Sequence, residues 1–364
     1  MARAEAAHVR PSLTERLARM IAQDGPLSQA EYMAICLHDP AEGYYATRPG
    51  LGAEGDFITA PEVSQMFGEL IGLWAIGVWR ALGRPSRVVL VELGPGSGAL
   101  ASDLMRAARL DPDFLSAVEL WLVETSPVLQ ARQFACLSAH APRFAGWIDD
   151  LPQDAPLIVV GNEFLDCFGA RAFVRQDGQW LERRIGLDEH GRLAFGLAPP
   201  PSGFEGPEDA AEGAVFEASP AQTAVAAMIA QRLVAQGGAS LLIDYGRAAP
   251  EFGDTFQALH AHRRVDPLET PGAADLTVHV DFPGVASAMR AAGADISPIV
   301  TQGAWLESLG LRQRSDALAR SRPDLADTLR RQVERLTDPG QMGTLFKVLV
   351  AYSGLADMPV TDEP

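Results

Sequence analysis

The stretch from Arg87 to Leu110 constrains the fold more than any other. "RVVLVEL" is an apolar strand that stops at Gly94, and "GALASDLMRAARL" follows with Leu100 and Leu104 on one helical face. The same alternation returns downstream. "AVELWLVETS" reads as a strand. "PVLQARQFACL" reads as a helix opened by Ser126 as N-cap and Pro127 at its first position. "PLIVVGNEF" and "ASLLIDYG" are further strands, and "GTLFKVLVAY" closes the chain with another. Short apolar strands alternating with helices require a parallel sheet covered on both faces.

Other segments attach to this frame. Residues 11–38 read as two helices broken at Gly25-Pro26. Residues 39–62 form a long Gly- and Pro-rich loop, whose Tyr44, Tyr45 and Phe57 argue against disorder. A helix is expected from about Val63 to Leu82, containing the apolar run Leu70 to Trp79, which is too short to span a bilayer. Between the last two core strands, "RAFVRQ", "QWLERRIGL" and "RLAFGL" read as short antiparallel strands. Residues 198–213, "APPPSGFEGPEDAAEG", read as a mobile surface loop. "SPAQTAVAAMIAQRLVAQGG" is a helix with Ser219 as N-cap and Gly237 at its end. The division this suggests is an N-terminal helical region with its loop (1–82), a first core half (83–170), an inserted β lobe (171–215) and a second core half (216–364).

Charge narrows the partners. Across 364 residues there are 47 Asp and Glu against 30 Lys and Arg, a net −17. Such a surface repels nucleic acid and anionic membranes and favours a basic partner. The three cysteines, Cys36, Cys136 and Cys167, form no C-x-x-C pair, which disfavours a disulfide framework or a zinc cage. His260, His262, His279 and Asp281 lack the spacing of a metal site, so no metal is expected. Acids at Glu5 and Glu15 weigh against a transit peptide despite four nearby arginines, so a cytoplasmic start is expected.

The chemistry concentrates at three places. Gly94, Gly96 and Gly98 follow a strand and open a helix, a loop that suits an anionic or nucleotide ligand. It fits a dinucleotide or S-adenosylmethionine (SAM). Glu92, two residues earlier, separates these, because a carboxylate repels a pyrophosphate but attracts the ammonium of SAM. Its alternative role is to accept backbone groups of the loop. Glu124 ends the next strand, where an acid can take both ribose hydroxyls of an adenosine; it could also complement the helix opened by Pro127. Asp149 and Asp150 are candidates for the adenine amino group, or form a solvated turn. Asn162 and Glu163 fall at the carboxyl end of a strand, with Asp166 three residues on. Two carboxylates there suit an amine or guanidinium; helix capping is the other reading.

Seven stretches, among them "GDFITAPEVSQMFGELIG" (55–72), "VELGPGSGAL" (91–100), "GNEFLDCFGARAF" (161–173), "LLIDYG" (241–246) and "RRVDPLETPGAADLTVHVDF" (263–282), resemble one family. It is the SAM-dependent methyltransferase family of the mitochondrial complex I assembly factor and its bacterial relatives. "TQGAWLESLG" (301–310) and "MGTLFKVL" (342–349) complete the match in the same order. The resemblance implies an α/β, Rossmann-like class I methyltransferase with a seven-stranded, mostly parallel sheet, an N-terminal helical region and inserted lobes. It implies SAM as cofactor and arginine methylation of a protein, such as a complex I subunit. The compartment would be the cytoplasm of a bacterium or the matrix of a mitochondrion. Oligomeric state, a dimer included, stays open. Gly94, Gly96 and Gly98 match the family's glycine loop, Glu124 its ribose acid, and Asn162-Glu163 its "NEF" motif. Asp56 and Glu62 lie in a signature expected to line the cleft, and Asp56 or Glu62 would face Glu163 and Asp166. Ser97 stands where relatives commonly carry Arg, and Cys167-Phe168-Gly169 replaces a usual Ala-Leu-Pro. Two rivals remain: an assembly factor that binds a complex I subunit without turnover, and an NAD-dependent oxidoreductase.

Overall fold

The computed structural model describes residues 11–47, 59–261 and 263–355. They divide into two compact units. One is drawn from 11–47, 169–218 and 252–277, the other from 59–168, 219–251 and 278–355.

The larger unit is built on one sheet. Its main line contains Val88–Leu93 (β1), Val118–Val123 (β2), Arg143–Ala145 (β3), Leu157–Asn162 (β4), Gly238–Arg247 (β5), Asp295–Ile296 (β6) and Phe346–Ser353 (β7). The spatial order is β6-β7-β5-β4-β1-β2-β3. From β3 to β5 every pairing is parallel, and β7 runs antiparallel to both β5 and β6. Two further two-residue strands, Val280–Asp281 and Val300–Thr301, pair off this line, so among the described residues the sheet counts nine strands rather than the expected seven.

The period of two along β1 distributes its side chains to both faces. Val88 and Leu90 join a core with Phe67, Trp74 and Trp79 from the helix Gln65–Ala81. Val89, Val91 and Leu93 join another with Val225, Ile229 and Leu233 from the helix Pro220–Gln236. Each such side chain, fully buried, contributes about 1.5–3 kcal/mol. The helices begin where the sequence indicates. Ser126 Oγ accepts from Leu129 N at 3.5 Å and Ser219 Oγ from Gln222 N at 3.2 Å. The apolar run Leu70 to Trp79 lies within the Gln65–Ala81 helix, and among the described residues no helix is long and apolar enough to cross a membrane.

In the smaller unit, Leu27–Ser28, Gln179–Leu187, Arg171–Gln176 and Val215–Ala218 form an antiparallel sheet, with Leu193–Ala198 paired to Gln179–Leu187. Glu182, fully buried, is neutralised by Arg171 at 2.6 Å and Arg184 at 2.6 Å. The segment 198–213 differs from the mobile loop expected of its composition. Phe204 stacks on Phe173 with ring centroids 3.7 Å apart, and Pro207 accepts the Trp180 indole N–H at 3.2 Å. Two aromatic anchors pin a segment that its Pro and Gly content alone describes as loose.

The helices Gln65–Ala81 and Ala99–Ala108 touch through Gly72. A Cβ there would lie 2.7 Å from Ala107 Cβ and 2.8 Å from the Leu104 carbonyl oxygen. Alanine gains about 1 kcal/mol in helix propensity, but overpacking against backbone costs about 1–3 kcal/mol. Gly72→Ala is therefore expected to lower the unfolding free energy measured in denaturant, against the direction propensity alone gives.

Candidate active site

The site is built where β1, β2, β4 and β5 end. After β1 the chain turns through Gly94, Gly96 and Gly98 with φ of +62°, +52° and +81°. These left-handed values are costly for any residue with a Cβ. Gly98 is the N-cap of the helix Ala99–Ala108 and has no side chain to cap it with. Glu92 supplies the missing acceptor: its carboxyl takes the N–H of Ala101, the third residue of that helix. Glu92 is only 6% exposed, and its neighbours Leu90, Leu100, Leu104, Leu120 and Val160 are apolar. Burial pushes its pKa up to about 8, the Ala101 N–H pulling the other way. Its second oxygen is buried with no hydrogen-bond partner among the described residues.

Glu124 follows β2 and is half-buried. One oxygen accepts Ser126 N–H at 2.8 Å, at the start of the helix Pro127–Leu137. The other accepts Gln133 Nε2 at 3.1 Å, and the same amide donates to the Gly96 carbonyl at 2.9 Å. Gln133 thus ties the acid to the glycine loop. Asp149 and Asp150 are exposed in the turn Ile148–Asp150, where Asp150 Oδ2 accepts Trp147 N–H at 2.9 Å. That turn is clamped by Arg232, whose guanidinium reaches the carbonyls of Ile148 (2.6 Å), Leu151 (3.1 Å) and Pro152 (2.6 Å).

The third corner gathers carboxyls. Asn162 ends β4 and donates Nδ2 to Glu163 Oε1 at 3.2 Å. Glu163 has φ +50°, a left-handed residue at a functional corner. Its pKa is pushed up to about 8, first by desolvation, then by Asp166, with Glu62 adding to it; Asn162 and the Ala60 N–H oppose. Asp166 is buried and pushed up to about 6 by desolvation, the Tyr245 hydroxyl that donates to its Oδ2 pulling it back. Glu62, in the short helix Ala60–Val63, accepts Ser97 Oγ of the glycine loop at 3.4 Å, and its Oε2 is buried without a partner among the described residues. A Cβ on Gly94 would lie 3.1 Å from the Phe164 ring, so this corner packs on the glycine loop. Glu62, Asn162, Glu163 and Asp166 thus belong to one neighbourhood. Asp56 lies outside the described residues.

Sequence reasoning gave no role to Gln133, Arg232, Asp244 or Tyr245. Asp244 is 1% exposed, and one of its oxygens accepts the N–H groups of Phe164, Leu165 and Asp166 at 3.1, 2.9 and 3.2 Å. The one available signal is an acid inside the apolar strand "LLIDYG", as Glu92 is in "VVLVEL".

A sequence profile of the S-adenosyl-L-methionine-dependent methyltransferases matches residues 70–300. The chain belongs to that family. It is 35% identical over 389 aligned residues to the protein arginine methyltransferase NDUFAF7 homolog, mitochondrial, of Drosophila melanogaster, covering 97% of this chain and 87% of that protein. It is 33% identical to the Homo sapiens protein arginine methyltransferase NDUFAF7, mitochondrial, over 90% of this chain and 80% of the human one. A Burkholderia thailandensis crystal structure bound to S-adenosyl-homocysteine aligns with TM-score 0.80 and 28% identity, covering 96% of each chain. The cofactor is SAM. The residues at the glycine loop fit it: three positions without a Cβ in left-handed conformations leave room for close approach, and the unpartnered oxygens of Glu92 and Glu62 are acceptors for positive charge.

The raised pKa of Glu92 has a consequence for the free protein. Its folded value, about 8, exceeds the ordinary 4.5. The fold therefore favours the protonated acid, and that contribution is full below about 4.5 and lost as pH rises through about 8. The thermal midpoint without cofactor is expected to fall as pH rises from about 5 to about 8, with no further contribution from this group above that. Glu92→Gln, which keeps an acceptor for Ala101 N–H, is expected to reduce that fall.

Proposed function

We propose that this protein transfers the methyl group of SAM to an arginine side chain of a protein, and that the acceptor protein is a subunit of respiratory complex I. The observation that carries the first part is the group of carboxyls around Glu163 beside the glycine loop; the names of the relatives support it, and the complex I subunit follows the family resemblance. For the cofactor, Gly94, Gly96 and Gly98 form the cradle, Glu124 takes the ribose hydroxyls and Glu92 offers its unpartnered oxygen toward the ammonium. Asp149 and Asp150 serve the adenine edge. For the acceptor, Glu163 and Asp166 hold the guanidinium with Asn162 orienting Glu163, and Glu62, with Asp56, faces them.

Bound SAM supplies a methyl group activated by its sulfonium. The protein's task is to deliver a nitrogen lone pair in line with that methyl, and such alignment can supply on the order of 7–11 kcal/mol. An arginine resists, because its guanidinium keeps its proton up to a pKa above about 12. Carboxylates on one side of the guanidinium draw its charge toward the nitrogens they bind and leave another nitrogen richer in electron density. In the free protein Glu163 carries a proton at neutral pH, since its pKa is about 8. An entering cation favours the anionic form and displaces that proton. Asp166, with a pKa of about 6, is largely ionised at neutral pH, and on this reading it accepts the proton that the methylated nitrogen releases. The acidic surface, net −17, draws basic segments toward the protein.

The test is Glu163→Gln, assayed with labelled SAM and a protein extract from cells lacking this enzyme. Loss of one preorganised group aimed at the reacting charge costs about 10²–10³ in rate. Methyl incorporation is expected to fall by at least about a hundredfold, with S-adenosylhomocysteine affinity by calorimetry unchanged. Wild-type transfer by the variant, or a wild-type product whose hydrolysate contains no methylarginine, would overturn the proposal.

A further inference from the structure

We infer that Asp244 and Tyr245, adjacent on β5, are a positioning pair that holds the acceptor corner in its working shape. The inference rests on the proposed role of Glu163. Asp244 grips the backbone of that corner. Its Oδ2 accepts three consecutive N–H groups, those of Phe164, Leu165 and Asp166, and its Oδ1 accepts the N–H of Tyr245 at 3.0 Å. The preceding carbonyl, of Ile243, accepts Glu163 N–H at 2.9 Å. Four hydrogen bonds accepted by two consecutive residues, Ile243 and Asp244, thus converge on the strand end and the turn. Tyr245 grips the side chain: its hydroxyl donates to Asp166 Oδ2, and its ring is held edge-on by Phe346 and His279 at 5.5 and 5.7 Å.

The arrangement exceeds what stability alone asks for. A left-handed residue with a side chain costs roughly 1–2 kcal/mol, and Glu163 is such a residue, where a glycine would relieve the strain at once. A glycine would also remove the carboxyl. The Asp244 bonds hold a glutamate in a glycine's conformation, which fixes where its carboxyl points. The contact of Phe164 with Gly94 carries the same constraint to the glycine loop.

Charge enters as well. Burial and the neighbouring Asp166 and Glu163 push the pKa of Asp244 up, and its N–H donors pull against them. All four of its hydrogen-bond partners are donors, the surroundings of a carboxylate rather than an acid. Glu163 is faced by Asp166 in its own turn, by Asn162 on β4, by Glu62 on the helix Ala60–Val63 and by Asp244 on β5. Lys347, the register neighbour of Asp244 on β7, turns its ammonium to the carbonyls of Thr344 and Leu345. Because the repulsion among these carboxyls is mutual, Asp244, when ionised, favours the proton on its neighbours in the corner.

Two variants read this out in opposite directions. Asp244→Asn keeps the size, removes the charge and sets an NH₂ donor against an N–H donor. Tyr245→Phe removes only the hydroxyl that favours ionised Asp166. Each is compared with wild type and Glu163→Gln for S-adenosylhomocysteine affinity and for labelled methyl incorporation into the extract from about pH 6 to pH 9. Both variants are expected to bind S-adenosylhomocysteine within about threefold of wild type and to transfer methyl at least about tenfold more slowly. The acid limb of the rate profile, which belongs to the carboxyl group cluster as a whole, is expected to move to lower pH in Asp244→Asn and to higher pH in Tyr245→Phe. Wild-type rates with unmoved limbs overturn the inference. So does a loss of S-adenosylhomocysteine affinity in proportion to rate, which would make the pair a support of the fold only. If Asp244→Asn does not fold, Tyr245→Phe decides by the same measures. A fully active Glu163→Gln would instead remove the reading of the site on which the inference rests.

Discussion

A buried carboxyl must be met by donors or keep its proton, and the larger unit of this protein is organised around that rule. Four acids sit at the carboxyl ends of its central strands or just beyond them, and each obeys it differently. Asp244 is met by four N–H groups. Glu92 is met by one, with burial pushing its pKa up. Asp166 is met by a phenol, and Glu163 by an asparagine amide and one N–H, with burial again dominant. The supply of donors and the depth of burial together set how readily each gives up its proton.

The sheet explains why the acids converge. Parallel strands deliver their carboxyl ends to one edge, so residues 80 positions apart, such as Phe164 and Asp244, become hydrogen-bond partners. β1 brings the glycine loop, β2 the Glu124 acid, β4 the Asn162-Glu163 corner and β5 the pair that grips it. Phe164 against Gly94 and Ser97 on Glu62 join the glycine loop to the Glu163 corner. On the proposed reading, a methyl donor and an acceptor nitrogen have to meet within one ångström-scale geometry, and a chain of direct contacts between loop and corner is what such a geometry requires.

Much of this was legible in the sequence because it is local. The glycine spacing, the Ser-Pro helix starts at 126 and 219, and the period of two in "VVLVEL" each depend on neighbours a few residues away. The chain order of motifs indicated the methyltransferase family before any fold was seen. What escaped was non-local. Arg232 looks like one more polar residue on a helix, yet it clamps a turn more than 80 positions earlier in the chain. Gln133 bridges Glu124 and Gly96 through a helix face that periodicity alone does not orient. The fixing of 198–213 by Phe204 stacking on Phe173 depends on an aromatic neighbour 31 positions away, which composition does not encode. Glu92 is legible as an acid in an apolar strand, but its partner Ala101 follows only from Gly98 being an N-cap with no side chain.

The most direct measurement of this account is the titration of Glu163 by carboxyl carbon-13 NMR, its resonance assigned by difference from Glu163→Gln. In the free protein the midpoint should lie near the value of about 8 that its burial and its acidic neighbours impose, and it should drop when S-adenosylhomocysteine and an arginine-bearing peptide are added together. A midpoint near the ordinary glutamate value of about 4.3 in the free protein would show that the corner is not held poised for a cation, and would contradict the account.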